Sequence, residues 1–290
     1  MASIVGPGRM RRALIGAAFG PVLAAGLLTG CGAAAQAGPR QASSERTGPA
    51  GAGTTGSAAV AAVQQEFVSV IQRVLPSVVE IRTNAGLGSG VVLDADGDIV
   101  TNAHVVAGAS SFQVLSAAAT VSGSSASSSA PRPAVLVGSC PADDLAVIRV
   151  GADAGLHPAT FANSAGVTVG DIVLAIGSPL GLGGSVTEGI VSAIGRSVAE
   201  PASAGTRAAV LTDTIQTSAA INPGNSGGAL VSIEGEVVGI PTLAAVNRGA
   251  GGAAPGIGFA IPASIAVSIG RALTGTGGAN SGTVPSGCQR

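Results

Sequence analysis

A serine lies among glycines near the C-terminal end of the chain, in Gly224-Asn225-Ser226-Gly227-Gly228. Glycine lets the backbone turn sharply and leaves no side chain in the path of a substrate carbonyl. A nucleophilic serine needs this setting, because its hydroxyl must be exposed and closely approached. The pentapeptide therefore indicates acyl transfer at Ser226, with the oxyanion held in the Gly224–Asn225–Ser226 turn by the N–H groups of Gly224 and Ser226.

The order of residues along the chain decides between two kinds of hydrolase. An activated serine requires a base, and the base requires an orienting carboxylate. In the nucleophile elbow of α/β-hydrolases the histidine follows the serine, whereas in trypsin-like proteases the histidine precedes it. The two histidines, His104 and His157, both precede Ser226. The chain therefore has the order His, Asp, Ser, which is the order of trypsin-like proteases.

His104 is the predicted base and Asp144 the predicted acid. His104 follows an apolar run in Thr-Asn-Ala-His-Val-Val, whereas His157 lies in a Leu-His-Pro loop. Two aspartates, Asp143 and Asp144, come directly before the apolar run Leu-Ala-Val-Ile. Neighbouring side chains of a strand face opposite ways, so only one of them is able to face the imidazole. We favour Asp144, which adjoins the apolar run, and interpret Asp143 as a solvated turn residue.

These three motifs together resemble the HtrA/Deg family of trypsin-like serine proteases. The resemblance rests on Thr-Asn-Ala-His-Val-Val, Asp-Leu-Ala-Val and Gly-Asn-Ser-Gly-Gly-Ala-Leu. It extends over about residues 62–273 through four supporting segments, which are residues 88–92, 177–181, 215–223 and 258–262. The family pattern again selects Asp144 as the acid.

The sequence predicts that an all-β fold positions these residues. Short strand signals are separated by Gly, Ser and Asp turns, at residues 77–82, 88–93, 99–105, 171–176, 189–194 and 235–240. Apolar residues at helical spacing predict one helix ending before Pro76 and another after Pro262. Together with the resemblance, this predicts two six-stranded antiparallel β-barrels of the chymotrypsin/trypsin type, with short N- and C-terminal helices.

The resemblance also implies where specificity is set. The base of the primary pocket would be Ala220, followed by Ile221, and the other wall would be Gly258, Phe259 and Ala260, in a strand that also pairs with the substrate. No carboxylate is available there for a Lys or Arg side chain. We therefore expect cleavage after small or medium aliphatic residues.

The same likeness bears on activation. Many trypsin-like enzymes have Asp where this chain has Asn225, so activation by a buried N-terminal ammonium is not expected. Control by the order of the loops is expected instead.

Composition narrows the function class further. The chain has no Lys, Trp or Tyr, and its formal net charge is −1, which gives no support to nucleic-acid binding. An Arg-only, Ala- and Gly-rich chain is typical of a high-GC source such as an actinobacterium. Residues 94–98 resemble the start of a calcium loop, but Ile99 and Val105 occupy its sixth and twelfth positions, so a hairpin turn is predicted. No metal and no cofactor are expected.

The N-terminal region predicts export. Residues 1–31 combine an Arg-rich start with an apolar stretch and end in Leu-Thr-Gly-Cys, which resembles a bacterial lipobox with lipidation at Cys31. We expect a lipid anchor on the outer face of the cell membrane, with plain secretion as the alternative. Residues 32–58 predict a flexible linker, 59–274 the protease domain and 275–290 a loop-like tail. Outside the cytoplasm, Cys140 and Cys288 are able to form a disulfide that pins the tail near the acid.

The expected partners are unfolded or extended polypeptides, in extracytoplasmic protein quality control. About seventeen residues follow Leu273, too few for the PDZ domain that many relatives carry, so none is expected. Phe67 is the one aromatic near the start of the protease domain, which leaves the choice between monomer and trimer open. A catalytically silent peptide-binding or chaperone module is the alternative function.

Overall fold

The computed structural model describes residues 52–118, 130–151, 155–178, 184–200, 208–247, 252–275 and 286–289. Within them, twelve strands form two closed barrels, each made of six antiparallel strands. The predicted fold class is therefore confirmed. The core consists mainly of Val, Ile, Leu and Ala side chains, because β-branched residues pack well on a pleated surface.

The first barrel closes in the order β1-β2-β3-β6-β5-β4. Its strands are β1 Val78–Thr83, β2 Leu87–Val92, β3 Asp98–Thr101, β4 Phe112–Ser116, β5 Arg132–Cys140 and β6 Leu145–Val150.

The turn from β2 to β3 is the one that resembles a calcium loop. There the Oδ1 atom of Asp94 accepts hydrogen bonds from the backbone N–H groups of Asp96 and Asp98, as in an Asx turn. The low-complexity segment between β4 and β5 joins two paired antiparallel strands, and residues 119–129 of it lie outside the described residues.

The second barrel closes in the order β10-β11-β12-β9-β8-β7. Its strands are β7 Ile172–Gly177, β8 Ser185–Glu200, β9 Ala209–Thr217, β10 Ala229–Ser232, β11 Val237–Asn247 and β12 Gly252–Pro262. Strand β8 has 16 residues and is far longer than its sequence signal at residues 189–194. The pairing of β8 with β9 shifts register three times, so this hairpin bends repeatedly.

Two of the α-helices in the described part of the chain flank the barrels. Helix α1 spans Ala52–Val74 and α3 spans Ala263–Thr274. Helix α3 ends at Gly275, whose φ of 77° gives the left-handed cap that glycine favours. Val70 and Val74 of α1 are buried, but Val60 and Val63 are exposed, so only the C-terminal half of the predicted apolar stripe packs. The helix begins inside the segment predicted as a linker, at Ala52.

A short helix after β3 changes how the predicted base is held. Residues 99–105 read as one strand, but β3 ends at Thr101 and a single turn, α2, spans Ala103–Val106. The backbone N–H of Val105 bonds to the carbonyl of Asn102, which closes this turn. His104 is therefore carried by a helical turn at the end of a buried strand.

The C-terminal tail is attached to the first barrel. The sulfur atoms of Cys140 and Cys288 are bonded to each other, and Gln289 exchanges two backbone hydrogen bonds with Ser139 at 2.7 and 2.8 Å. The predicted export segment at residues 1–31 lies outside the described residues. None of the helices in the described ranges is both long and apolar enough to cross a membrane.

Candidate active site

Three chain segments bring the predicted triad together. Helix α2 carries His104, the turn between β5 and β6 carries Asp144, and the turn before β10 carries Ser226. The first two segments belong to the first barrel and the third to the second barrel.

Asp144 and His104 form a tightly bonded pair. The Nδ1 atom of His104 lies 3.0 and 2.9 Å from the two carboxylate oxygens of Asp144. A carboxylate only accepts hydrogen bonds, so Nδ1 carries a proton in this arrangement and Nε2 faces away from the acid. The backbone N–H of His104 also donates to Oδ1 at 3.0 Å. These contacts fix the ring orientation and the tautomer that a general base requires.

The neighbours of Asp144 hold it in place. Its side chain is buried, and the hydroxyl of Thr242 donates to Oδ2 at 2.6 Å. Its φ of 49° lies in the left-handed region, which aspartate tolerates better than most residues. The Nδ2 group of Asn102 donates to its carbonyl at 2.9 Å. The neighbouring Asp143 is half-buried and shares none of these contacts among the described residues.

Ser226 lies in the predicted position, but its hydroxyl points elsewhere. The Oγ atom donates to the carbonyl of Thr242 at 3.0 Å. Among the hydrogen bonds of the described residues there is none between this hydroxyl and His104. Apo active sites often show such loose geometry at the nucleophile, and a rotation about the Cα–Cβ bond changes the partner of Oγ.

The backbone around Ser226 is held by both barrels. The N–H of Ser89 donates to the carbonyl of Ser226 at 3.0 Å, and the N–H of Gly227 donates to the carbonyl of Pro241 at 2.9 Å. Gly227 has a φ of 82°, and a Cβ built there would overlap the carbonyl of Ser89. The N–H groups of Gly224 and Ser226 donate to no other described group, so both are available as hydrogen-bond donors.

A buried chain of hydrogen bonds reaches this loop from the first barrel. The hydroxyl of Ser89 donates to the carbonyl of Gly224 at 2.6 Å and accepts the N–H of Ser178 at 2.8 Å. The hydroxyl of Ser178 donates to Glu80 at 2.6 Å. Glu80 is almost fully buried and pairs with the half-exposed Arg82. The two serines thus connect a charged pair on β1 to the loop that would bind the oxyanion.

Asn225 replaces the acid of many trypsin-like enzymes and is 1% exposed. Its Nδ2 group donates to the carbonyl of Ala220 at 3.2 Å, while its Oδ1 atom has no partner in the described structure. The carbonyl of Ala220 also accepts the hydroxyl of Thr187 at 2.9 Å. The loop around the serine and the predicted pocket are therefore tied together by neutral hydrogen bonds.

The predicted pocket residues are brought together on the second barrel. Ala220 is exposed, whereas Ile221, Gly258, Phe259 and Ala260 are buried. A Cβ built on Gly258 would overlap the side chain of Ile221, so Ile221 fills the space beside this strand. None of the predicted pocket residues carries a carboxylate.

The predicted pairing of β12 with a substrate is wrong. The backbone of Gly258–Ala260 pairs with β9 on one side and β11 on the other. Both edges of the strand are therefore occupied, and no backbone group remains for another chain.

The surroundings of His104 stabilise the charged form of its imidazole ring. Burial by itself lowers the pKa of His104, but hydrogen bonds to Asp144 and Glu200 outweigh it and raise the pKa to about 9. Glu200 had no role in the sequence analysis. Its Oε1 atom lies 3.3 Å from Nδ1, on the ring edge that faces Asp144.

Other side chains of catalytic or metal-binding type have different roles. His157 is exposed. Its backbone N–H donates to the carbonyl of Pro76 at 3.4 Å and not to a group of the His104–Asp144 pair. Cys140, Cys288 and Asp143 lie close together, but the two sulfurs are bonded to each other and offer no thiolate. His104, Asp144 and Glu200 also cluster, and there the polar atoms already hydrogen bond to one another.

Several residues of the site had no signal in the sequence. Thr242 and Glu200 lie in no catalytic motif, and Ser178 and Glu80 are far apart along the chain. Ser89 and Ser178 belong to segments that supported the family resemblance, but a lone hydroxyl beside glycine does not reveal its partner. Only the pairing of the two barrels identifies these contacts.

Comparison with known proteins agrees with the fold. A family model described as trypsin-like peptidase domain matches residues 88–240, which is more than half of the chain. The chain is 44% identical over 221 residues to serine protease PepD of Mycobacterium tuberculosis, covering 73% of this chain and 47% of PepD. It is 42% identical over 184 residues to the periplasmic serine endoprotease DegP of Escherichia coli K12, covering 63% of this chain and 35% of DegP.

Solved structures give the same result. The HtrA-type protease AlgW in complex with a tripeptide has a TM-score of 0.58 and 38% identity, over 72% of this chain and 63% of AlgW. The complex of AlgW with a decapeptide has a TM-score of 0.57 and 34% identity, over 71% of this chain and 67% of AlgW. The chain spans about a third to a half of the length of the curated relatives named above. It belongs to the trypsin-like serine peptidases of the HtrA/Deg family.

Proposed function

We propose that this chain is a serine endopeptidase that acts outside the cytoplasm and hydrolyses peptide bonds with His104, Asp144 and Ser226. One observation carries the proposal. The buried carboxylate of Asp144 bonds to both the Nδ1 and the backbone N–H of His104, an arrangement that holds an imidazole ready to accept a proton at Nε2.

The reaction follows from this geometry in two steps. The hydroxyl of Ser226 leaves the carbonyl of Thr242, transfers its proton to Nε2 of His104 and attacks the scissile carbonyl carbon. His104 then returns the proton to the leaving amine, and a water molecule repeats the sequence to release the acyl group. Asp144 stabilises the imidazolium, and the N–H groups of Gly224 and Ser226 hold the oxyanion.

The substrates proposed are unfolded or extended polypeptides, cleaved after small or medium aliphatic residues. The side chain of Ile221 beside Gly258 and the absence of a carboxylate among the predicted pocket residues support this specificity. That AlgW was solved with peptides and DegP is named a periplasmic endoprotease supports peptide substrates and a role in extracytoplasmic quality control.

Active-site labelling tests the proposed activity directly. A fluorophosphonate probe is expected to label the full-length chain, and peptide mapping is expected to place the label on Ser226. The Ser226→Ala variant is expected to take up no label and to leave β-casein intact. The matched control is Ser232→Ala, which removes a serine from the neighbouring strand β10 and should retain both activities. An unlabelled wild type that leaves β-casein intact over a range of pH would support the silent peptide-binding module instead.

We propose in addition that the exported chain is anchored through a lipid on Cys31. The lipobox-like Leu-Thr-Gly-Cys supports this, and several acyl chains on one residue hold a protein firmly at a membrane. In detergent phase separation, the wild type is expected in the detergent phase and Cys31→Ala in the aqueous phase. A wild type that partitions into the aqueous phase would point to plain secretion.

A further inference from the structure

Glu200, the last residue of β8, lies against the same ring edge of His104 as Asp144. Its Oε1 atom is 3.3 Å from Nδ1, compared with 2.9 Å for the nearer oxygen of Asp144. Its side chain is 12% exposed. We propose that Glu200 is a positioning residue that acts through His104, as a second carboxylate that holds the ring in its charged form in the free enzyme. The proposal rests on the proposed function only for its effect on catalysis.

The hairpin of β8 and β9 places Glu200 there. Glu200 pairs with Ala209, and Val198 pairs with the buried Leu211. Val198 and Glu200 lie on one face of β8, because alternate residues of a strand share a face. Leu211 and Val198 belong to the apolar cluster that also contains Cys140 of the first barrel. The end of a second-barrel hairpin is therefore packed in the core that supports the acid.

Two bends direct the hairpin toward the first barrel. The pairing shifts register between Arg196 and Val198, and Asp213 on the opposite strand has a φ of 60°. Gly195 has a φ of 67°. Bulges of this kind re-aim side chains and are common beside active sites. They explain how a residue at the end of a 16-residue strand reaches His104.

The position is unfavourable for a carboxylate unless the ring is charged. Asp144 already accepts from the Thr242 hydroxyl and from the His104 backbone. Among the described residues, the ionisable groups that act on Glu200 are Asp144 and His104. Burial and the charge of Asp144 raise the pKa of Glu200, while the contact with His104 lowers it. Among the described residues, His104 is the cation that acts on Glu200, and two adjacent carboxylates favour an imidazolium between them.

The consequence for catalysis concerns pH. His104 acts as a base only when it is neutral. A second carboxylate stabilises the imidazolium, so the ring loses its proton at a higher pH. Neutralising Glu200 is therefore expected to move the acid limb of kcat/KM to lower pH. A shift of one pH unit would raise kcat/KM about tenfold at a pH well below the limb.

A titration of the histidine rings tests the proposal without requiring activity. The full-length chain with Ser226→Ala, labelled at histidine, gives two ring signals, since the sequence has two histidines. Glu200→Gln is expected to lower the titration midpoint of His104 by about one pH unit or more and to leave His157 unchanged. The matched control is Glu188→Gln, an exposed carboxylate on the same strand, which should move neither midpoint. An unchanged His104 midpoint in a folded Glu200→Gln protein overturns the proposal.

The pH profile of peptide hydrolysis is the second readout. With Ser226 restored, Glu200→Gln is expected to shift the acid limb downward, and Glu200→Asp, which keeps the charge, to shift it less. A uniform loss of kcat/KM at every pH, accompanied by a lower Tm, would show a purely structural role and would contradict the proposal. If the ring midpoint moves but the wild type hydrolyses nothing, the contact with Glu200 stands and the protease function fails.

Discussion

The two barrels contribute to the candidate site in different ways. The first barrel holds the acid and the base as a complete pair, in which Asp144 bonds to both the ring and the backbone of His104. The second barrel holds Ser226 in the right loop but turns its hydroxyl toward Thr242. The acid and the base thus come from one barrel, although Thr242 and Glu200 of the other barrel contact them, whereas the nucleophile loop is held by contacts from both barrels.

The difference indicates where activity is controlled. The acid–base pair sits at a buried strand end of the first barrel, and the Thr242 hydroxyl and Glu200 of the second barrel add to the contacts that hold it. The nucleophile loop is held by Ser89 of the first barrel, by Pro241 of the second and by neutral bonds from Asn225. We therefore expect substitutions in the pair to change the chemistry itself and substitutions at the loop contacts to change how often the loop is correctly formed.

The largest effect is expected from breaking the pair within the first barrel. Asp144→Asn keeps the shape but presents an amide to Nδ1 and favours the wrong ring tautomer. A loss of about 10⁴-fold in kcat is expected, measured with a fluorogenic peptide. The control is Asp143→Asn, which neutralises the adjacent acid and should retain activity. Equal losses from both variants would refute the assignment of Asp144.

A smaller effect, without any substitution, is expected from pH. The pKa of His104 is raised to about 9, and a raised pKa keeps the ring charged to higher pH. Since only the neutral ring accepts the serine proton, kcat/KM should increase with pH and be roughly 50-fold higher at pH 9 than at pH 7. Steady-state kinetics across this range measures the acid limb. If the apparent pKa of the acid limb lies near the ordinary value for histidine, the pKa of His104 is not raised in solution.

The next test addresses the contact between the barrels. Ser89→Ala leaves the carbonyl of Gly224 and the N–H of Ser178 without their buried partner. An unsatisfied buried group costs about 1–3 kcal/mol, so kcat should fall about 10- to 100-fold while KM changes little. Ser164→Ala is the control, because its hydroxyl also joins two backbone groups, but away from the loop. If both variants lower kcat equally, Ser89 has no special connection to the oxyanion site.

The smallest effect is expected at the pocket. Ile221→Ala opens the space beside Gly258, so the preference for Leu or Phe over Ala at the cleavage position should increase about tenfold in kcat/KM. Gly258→Ala alone should impair the enzyme, since its Cβ would overlap Ile221. Combining the two substitutions should restore activity, and this coupling is measured by a double-mutant cycle. Additive losses would place Ile221 and Gly258 in separate parts of the protein.

The sequence by itself determined the class of fold and the candidate catalytic residues. Chain order excluded the nucleophile elbow, the glycine frame marked Ser226, and adjacency to an apolar run selected Asp144 over Asp143. The glycine frame and the apolar run are local signals, because each depends on residues within a few positions of one another, whereas chain order compares motifs that are far apart. The strand signals were also local, although they missed the length of β8 and the helical turn that carries His104.

Only the tertiary structure decided how the parts meet. Thr242 reaches Asp144, and Ser178 reaches Glu80, each across 98 residues of chain. The arrival of Glu200 at His104 depends on bends in a hairpin from the opposite barrel, and the pairing of Gly258–Ala260 with β9 and β11 leaves their backbone no edge for a substrate strand. Such contacts follow from barrel closure and register, which place distant residues side by side without leaving a mark in the sequence near any of them.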